Sequence, residues 1–309
     1  MKRVSFAEFG GPDVLRLEDT EEPHAGPGHI RIAVRAAGVN AVDWRIREGQ
    51  KLKAHPIALP SGVGQDASGV VDEVGEGVEG VEVGDHVFGE GADTYAEFAV
   101  LSAWARMPEG LTFEEAAGYP SVVETALRII RQVGVRPGQT LLASGAAGGV
   151  GSVVLQLARE RGITVIGTAG AANQDYLRGL GAVATTYGEG WVERVRRLGQ
   201  VDAALDLAGS GVIRELVELT GDPQKVISIA DLGAPELGVR FSGVAGSVPE
   251  ALAEAAALIS QGKLRLPVEK TYTLAEAAAA HIDSQAGHTR GRRIIVVRAG
   301  SAQVHGPAS

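Results

Sequence analysis

The sequence predicts an α/β protein of two lobes, one rich in β-strands and one built on a parallel sheet. Its 309 residues exceed the size, about 250–300 residues, at which a single hydrophobic core usually stops growing. Residues 2–105 alternate short apolar runs with glycine and proline turns, and from about Thr112 onward strand and helix patterns alternate. Hydrophobic residues make up 45% and charged residues 22%, as is usual for folded globular proteins.

Charge and composition exclude several classes of function. The net charge of -9 and the pI of about 5.4 oppose attraction to nucleic-acid phosphates. Because the chain has no cysteine, it has no disulfide, no catalytic thiol and no cysteine-ligated metal. No run of about 18 apolar residues indicates a membrane span, and the first residues lack a signal-peptide core. We therefore expect a cytoplasmic protein with neither nucleic-acid nor membrane partners.

The first lobe is predicted to consist of short strands. These strands are expected at residues 14–17, 30–36, 69–74, 86–88 and 95–101. Over residues 73–84 valines alternate with glycines, which suits a strand followed by tight turns at a barrel edge. A last strand at 292–297 is expected to rejoin this lobe, and residues 299–309 are expected to be loose because they are small and polar.

The second lobe is predicted to repeat strand and helix. A helical stretch begins at Phe113 and continues past Pro120 into a helix at 124–133. Strands are expected at 140–144, 164–168, 201–207 and 225–229, and helices at 152–161, 212–219 and 249–259. Short apolar strands that alternate with helices predict a parallel sheet.

A glycine-rich turn follows the first of these strands. The strand ends at Ser144, and the turn consists of Ala146, Ala147, Gly148, Gly149, Val150 and Gly151. Missing side chains let the backbone approach a pyrophosphate, and the N-terminus of the next helix offers N–H groups to the anion. Ala146 stands where the usual G-x-G-x-x-G has its first glycine. The turn is predicted to bind a dinucleotide, with ordinary turn chemistry as the alternative.

The end of the second strand predicts which dinucleotide is bound. NAD-preferring sites carry an Asp or Glu roughly 20 residues after the glycine turn, whereas this strand ends at Thr168 and Ala169 without an acid. The nearby groups able to donate to a 2′-phosphate are Asn173, Arg178 and Tyr187. NADPH is therefore favoured, although Asp175 counts against it. The alternatives are that Asn173 caps a helix and that Arg178 lies on its solvated face.

Six motifs together resemble a known family. They are AGVNAVD (37–43), GQDASGVV (64–71), VGDHV (83–87), TYAE (94–97), AAGGVG (146–151) and HTRGR (288–292). In this order they resemble the medium-chain dehydrogenase/reductase superfamily, and specifically its zinc-free quinone oxidoreductase branch. The resemblance implies a GroES-like catalytic lobe at 1–115 and 268–309, a Rossmann domain with a doubly wound parallel sheet at 116–267, a cleft between them, and a homodimer.

The resemblance also implies catalytic residues. Asn40 would donate a hydrogen bond in the cleft, Asp43 would fix the same loop, and Thr125 would lie beside the nicotinamide. The alternatives are a turn-closing role for Asn40 and a helix-capping role for Asp43. Tyr95 and Tyr119 are candidate proton donors or pocket walls, against the alternative of packing aromatics with bonded hydroxyls.

Further cofactor contacts follow from the same resemblance. Backbone atoms of Ala208 and Ile229, at the ends of two later strands, would flank the nicotinamide. Arg290 and Arg292 would reach the cofactor phosphates, with a solvated charge pair as the alternative.

Metal ligands are missing at the positions where the resemblance would place them. Zinc-dependent relatives carry Cys at the position of Asn40 and a His-Glu pair at Gln65 and Asp66, so no metal site is expected. Quinone reductases often carry tyrosines where this chain has Trp44 and residues 51–53, which predicts a different substrate pocket.

Without a metal to polarise an alcohol, the remaining chemistry is hydride delivery to a small carbonyl compound. This compound must be able to delocalise the negative charge that the hydride brings, as an enone or a quinone does. The sequence therefore predicts an NADPH-dependent enone or quinone reductase. The alternative is an NADPH-binding protein with a structural or regulatory role.

Overall fold

A computed structural model of the chain describes residues 1–50, 57–243 and 246–297. The strands are β1 (Lys2–Phe6), β2 (Arg16–Asp19), β3 (Ile30–Gly38), β4 (Ser61–Gly62), β5 (Asp66–Val74), β6 (His86–Ala92), β7 (Phe98–Arg106), β8 (Thr140–Ser144), β9 (Thr164–Ala169), β10 (Val183–Thr186), β11 (Ala203–Asp206), β12 (Val226–Ser228), β13 (Arg240–Phe241), β14 (Val268–Thr273) and β15 (Arg292–Val296). The α-helices are α1 (Ala41–Arg47), α2 (Phe113–Ala116), α3 (Pro120–Val133), α4 (Gly149–Glu160), α5 (Gln174–Gly179), α6 (Trp191–Leu198), α7 (Ile213–Thr220), α8 (Val248–Ser260) and α9 (Ala277–Gln285).

The chain forms two compact units. The first contains Met1–Ala117, Lys270–Gln285 and residues 293–297, and the second contains Gly118–Glu269 and Ala286–Arg292. Each unit has its own sheet system.

The first unit is built around β3. Its side chains alternate between the interior and the opposite face, with Ile30, Ile32 and Val34 buried, as the two-residue period of a strand requires. The sheet runs in the order β14-β15-β3-β5-β6-β7, and a further pairing of β3 with β7 closes four of its strands into a small barrel. Since β15 pairs antiparallel with β3, the expectation that the last strand rejoins the first lobe is confirmed.

The second unit contains a parallel sheet of order β10-β9-β8-β11-β12-β13. From β8 the chain proceeds to one side through β9 and β10, and then returns to the other side through β11, β12 and β13. β8 is buried from Leu141 to Ser144 without alternation, as expected for a strand covered by helices on both faces. The predicted fold class, a GroES-like β-rich lobe with a doubly wound parallel sheet, is confirmed.

Several predicted boundaries were wrong. Val14 lies in a 3-10 turn (Pro12–Val14), so the strand begins only at Arg16, and Tyr95 precedes β7. The helix expected at 124–133 begins at Pro120, because proline lacks an N–H and suits the first turn of a helix. The predictions for residues 51–53 and 299–309 lie outside the described residues.

Candidate functional site

The glycine turn leaves the end of β8 at the point where the strand order of the sheet reverses. Ser144 is buried there, and the Ala146 N–H donates to the Thr168 carbonyl at 3.0 Å, which joins the turn to the end of β9. Since α4 begins at Gly149, its first N–H groups have no partner within the helix. A sheet of this kind binds ligands at such a reversal, and the helix N-terminus favours an anion.

Two glycines of this turn meet different steric needs. A Cβ on Gly151 would lie 2.6 Å from backbone atoms of Ala146, so glycine lets α4 pack this closely on the end of β8. A Cβ on Gly148 would meet only the Gly145 carbonyl oxygen, at 3.8 Å, so that side of the turn is open. The open side is where the backbone can admit a pyrophosphate.

The HTRGR segment lies against the same turn. The Gly291 N–H donates to the Ala147 carbonyl at 3.0 Å. Arg292 is 6% exposed, and a Cβ on Gly149 would lie 2.8 Å from its Cδ, so the stem of this arginine packs over the start of α4. The alternative of a solvated charge pair is therefore wrong for Arg292, because the side chain is buried.

The end of β9 has no acidic side chain. Gly170 follows Ala169, and a Cβ on Gly170 would lie 3.3 Å from the Tyr187 hydroxyl oxygen. The Gln174 amide, which the sequence did not single out, donates to the carbonyls of Ala169 at 2.9 Å and Thr185 at 3.1 Å. This amide holds the ends of β9 and β10 together, and Tyr187, half of whose surface is exposed, stands directly after β10.

Arg290 reaches the same end of β9. Its Nε donates to Asn173 Oδ1 at 3.0 Å and its Nη2 to the Ala172 carbonyl at 3.2 Å, while Asn173 N–H donates to the Gly170 carbonyl at 3.0 Å. Asn173 therefore contacts an arginine and makes no side-chain cap on α5. The Arg290 Nη1 has no hydrogen bond or ion pair within the described part of the chain, which leaves this nitrogen able to bind an added anion.

Tyr176 supports this guanidinium and was missed by the sequence reasoning. The Arg290 guanidinium lies 5.4 Å from the centre of the Tyr176 ring, and the Tyr176 hydroxyl lies 2.8 Å from Ser152 Oγ in α4. Burial raises the pKa of Tyr176, so its hydroxyl stays protonated. One feature of the sequence could have indicated Tyr176. It lies three residues after Asn173, and in a helix this spacing places the two side chains on neighbouring turns. Arg178 instead pairs with Asp175 at 2.6 Å on the exposed face of α5.

Asp206 organises the ends of β11 and β12. Its Oδ1 accepts hydrogen bonds from the N–H groups of Ala208 at 3.3 Å and Gly209 at 2.9 Å. Its Oδ2 accepts the Ser228 hydroxyl at 2.8 Å, and the Ile229 N–H donates to the Asp206 carbonyl at 3.1 Å. Ala208 and Ile229 are thus held at the carboxyl ends of adjacent strands, one of which pairs with β8.

Thr125 lies in α3 and is partly exposed. Its Oγ1 accepts a hydrogen bond from Arg128 Nη2 at 3.3 Å.

Asn40 and Asp43 lie together in the first unit, at the start of α1. Both are buried, with Asn40 7% and Asp43 3% exposed. The Asn40 N–H donates to Asp43 Oδ2 at 2.8 Å, and the Asn40 amide donates to Asp66 Oδ2 at 2.9 Å. Tyr95, fully buried, donates its hydroxyl to Asp43 Oδ2 at 3.0 Å. Asp43 therefore caps α1 and also fixes the loop that carries Asn40, and Tyr95 is a packing aromatic with a bonded hydroxyl.

A buried Arg–His contact lies behind this loop. Arg47, at the end of α1, is fully buried and contacts His281 Nδ1 of α9 at 3.1 Å. Burial and the Arg47 charge lower the pKa of His281 from 6.5 to about 3, so its ring is neutral. The Tyr95 ring packs edge-on against His281 with centroids 5.8 Å apart. The separation of 234 residues explains why no local pattern predicts this contact.

Within the described ranges, no group of three or more His, Cys, Asp or Glu side chains is placed to hold a metal ion. The same ranges contain no helix that is long and apolar enough to cross a bilayer.

Comparisons with known proteins agree with this architecture. Family models described as alcohol dehydrogenase GroES-like domain and zinc-binding dehydrogenase match residues 26–116 and 179–295. The quinone oxidoreductase of Pseudomonas aeruginosa is 31% identical over 96% of this chain and 99% of its own length. The 2-methylene-furan-3-one reductase of Solanum lycopersicum is 34% identical over 67% of this chain and 52% of its own length. The structure of Escherichia coli quinone oxidoreductase complexed with NADPH has a TM-score of 0.84 and 26% identity, covering 96% of this chain and 100% of that one.

A glycine turn on a doubly wound sheet, in one chain with a GroES-like barrel, defines a dinucleotide-dependent oxidoreductase. The chain belongs to the medium-chain dehydrogenase/reductase superfamily, in its quinone oxidoreductase branch.

Proposed function

We propose that this protein is a zinc-independent, NADPH-dependent reductase of quinones or of activated C=C bonds next to a carbonyl. The observation that carries the proposal is the group around Gly170, where Tyr187, Asn173 and Arg290 occupy the place in which NAD-preferring enzymes carry an acid. A carboxylate there would repel a 2′-phosphate, whereas a guanidinium and a hydroxyl donate to it.

The turn residues fit the rest of the cofactor. The open side of Gly148 and the first N–H groups of α4 would receive the pyrophosphate, and the buried Arg292 beside Gly149 would add positive charge. Ala208 and Ile229 end the strands on the other side of the sheet reversal, where the nicotinamide half of a dinucleotide is expected. The NADPH complex of the Escherichia coli relative supports this assignment.

The chemistry follows from what each group can donate. Bound NADPH supplies a hydride, which together with one proton converts a quinone into a hydroquinone and leaves NADP⁺. We assign the Thr125 hydroxyl, in the second unit, as a donor to the carbonyl oxygen on which negative charge develops. In the first unit, the family resemblance assigns Asn40 as a hydrogen-bond donor. Asp43 holds Asn40 in place through the Asn40 N–H at 2.8 Å, and Tyr95 holds Asp43.

Zinc independence rests on residue types. Asn40, Gln65 and Asp66 stand where zinc-dependent relatives carry their ligands, and the Asn40 amide already donates to Asp66. An amide donor bound to a carboxylate is a hydrogen-bonded pair, which is a poor starting arrangement for a cation site. The match described as zinc-binding dehydrogenase covers 179–295, which does not include these positions.

Cofactor preference provides the test. We expect the wild-type protein to have a higher kcat/KM for NADPH than for NADH when 9,10-phenanthrenequinone or a small enone is the acceptor. Arg290→Gln and Tyr187→Phe should each lower kcat/KM for NADPH about tenfold, since a charge-assisted hydrogen bond contributes about 1.5–3 kcal/mol, and should leave NADH within about twofold. The matched control is Arg178→Gln, because Arg178 is paired with Asp175 on the exposed face of α5.

Two results would contradict the proposal. If the Arg290 and Tyr187 variants lose kcat/KM equally with NADPH and with NADH, these side chains do not bind the 2′-phosphate. Tight NADPH binding without hydride transfer to any quinone or enone would instead indicate an NADPH-binding structural or regulatory protein.

A further inference from the structure

A buried ion pair in the second unit lies directly beside Thr125. Glu124 and Arg128 face each other across one turn of α3, with Arg128 Nε 2.9 Å and 3.2 Å from the two carboxylate oxygens. Their side chains are only 5% and 11% exposed. A buried ion pair of this kind often stabilises a fold no more than apolar side chains of the same volume would, so its other contacts need an explanation.

Both terminal nitrogens of Arg128 also have partners. Its Nη1 donates to the carbonyl oxygen of Ser242 at 3.0 Å and to the Ser242 hydroxyl, and its Nη2 donates to Thr125 Oγ1 at 3.3 Å. Glu124 Oε1 also accepts the Gly246 N–H at 2.6 Å. The planar guanidinium is therefore fixed on three sides, and its orientation toward Thr125 is determined by Glu124 and Ser242.

The Thr125 hydroxyl behaves unlike three other helical hydroxyls of this unit. Ser152, Thr220 and Ser260 each donate to the carbonyl four residues earlier, at 2.8, 3.0 and 2.9 Å. That local bond is the usual one for a serine or threonine inside a helix. Thr125 donates to no atom in the described part of the chain and instead accepts from Arg128. Its proton is therefore available to an acceptor that the protein itself does not supply.

We infer that Arg128 is a positioning residue for the reduction, which acts by holding the Thr125 hydroxyl with its proton free to donate to the carbonyl oxygen of the hydride acceptor. A charged donor on Oγ1 polarises the O–H group and strengthens the bond that it donates. Thr125 donates a hydrogen bond and transfers no proton. The inference rests on the proposed function, in which Thr125 contacts the reacting groups.

A double-mutant cycle separates this role from a structural one. Thr125→Val keeps the shape of the side chain and removes the hydroxyl, and Arg128→Met removes the guanidinium. Each should lower kcat about tenfold, as expected for the loss of one ordinary hydrogen bond made in the transition state. The variant with both changes should lose little more than either alone, because Arg128 acts through Thr125. NADPH dissociation constants, measured by tryptophan fluorescence, should stay within about twofold, since the contact is made to the other substrate.

The control and a second variant keep the test decisive. Arg131→Met, on the same helix, removes an arginine that is 60% exposed and whose carboxylate partner Glu254 is 3.6 Å away, and it should keep wild-type kcat. If Arg128→Met fails to fold, Arg128→Lys takes its place in the cycle, because lysine can keep the charge beside Glu124 while losing the planar fork that reaches Thr125.

The outcomes are distinguishable. Losses of kcat that multiply in the double variant, an unchanged kcat in the Arg128 variants, or NADPH affinity that falls in parallel with kcat would overturn the role of Arg128 while leaving the proposed function intact. Absence of turnover in the wild-type protein would reject the proposed function, and the role of Arg128 with it.

Discussion

At the residue scale, the loop that carries Asn40 depends on a chain of buried polar contacts within the first unit. Asp43 accepts from Asn40 and Tyr95, the Tyr95 ring packs on His281, and His281 contacts Arg47. His281 must accept from the guanidinium through Nδ1, so its ring carries the proton on Nε2. His281 must be neutral in this arrangement, because a protonated ring would place a second buried positive charge beside Arg47, which would destabilise the fold.

This network predicts a pH dependence of stability. The pKa of His281 is about 3 in the folded protein, against an unfolded value near 6.5. Its stabilising contribution is therefore complete above the unfolded pKa and is lost as pH falls from about 6.5 toward 3. Between pH 7 and pH 5 the free energy of unfolding of wild type should fall by about 2 kcal/mol more than that of His281→Asn, which keeps an acceptor for Arg47 but does not titrate.

Urea denaturation at the two pH values measures this difference. His24→Asn is the control for replacing a histidine by asparagine, since the His24 side chain is 81% exposed. Equal pH dependence in wild type and His281→Asn would show that the folded protein does not exclude the charged form of His281.

The sequence draws attention to residues that belong to motifs, and it does not indicate those whose partners lie far away in the chain. Asn40, Asp43, Asn173 and Arg290 stand in or beside recognisable motifs, and their positions in the fold follow from strand ends. Arg128 looks like any arginine on a helix, and only the burial beside Glu124 distinguishes it. Such partners depend on tertiary packing, which local spacing does not record.

At the scale of elements, the strands and helices around the glycine turn were predictable because their apolar runs are long and uninterrupted. β8 was expected with its observed bounds, and the helix expected at 152–161 begins three residues earlier because Gly149, Val150 and Gly151 form its first turn. β10, α6, β13, β14 and α9 were not predicted. β13 spans only Arg240–Phe241, and β10 is a short strand with two threonines, so neither has a period long enough to detect.

We expect the same substitution at Gly151 and at Gly148 to affect different properties. Gly151→Ala places a Cβ 2.6 Å from Ala146 backbone atoms, so α4 must shift and the free energy of unfolding should fall by about 2 kcal/mol. Gly148→Ala meets no close atom, so stability should change by no more than about 1 kcal/mol, while the NADPH dissociation constant should rise about tenfold or more.

Urea unfolding and fluorescence titration of NADPH together check this pair. If Gly148→Ala binds NADPH as wild type does, the pyrophosphate does not approach that side of the turn. If Gly151→Ala keeps full stability, α4 does not pack on the turn as closely as described.

At the scale of the whole molecule, the chain is acidic, with a net charge of -9, although its cofactor is phosphorylated. The phosphate donors that we propose, Arg290, Arg292 and the start of α4, all belong to the second unit, so binding through them would not depend on the overall charge. Asn40 and Asp43 belong to the first unit, whose sheet includes β15 from the end of the described chain. The two-lobed class was predictable from length and pattern, whereas the acceptor depends on side chains that no motif specifies.

The central claim is that this chain transfers hydride from NADPH to a quinone or enone without zinc. The most direct measurement is anaerobic stopped-flow oxidation of NADPH by 9,10-phenanthrenequinone, with protein dialysed against EDTA and its metal content determined. We predict one NADPH consumed per quinone reduced, at a rate that chelation does not change and added zinc does not raise. Absence of hydride transfer from the metal-free protein, or activity that returns only when stoichiometric zinc is restored, would contradict it.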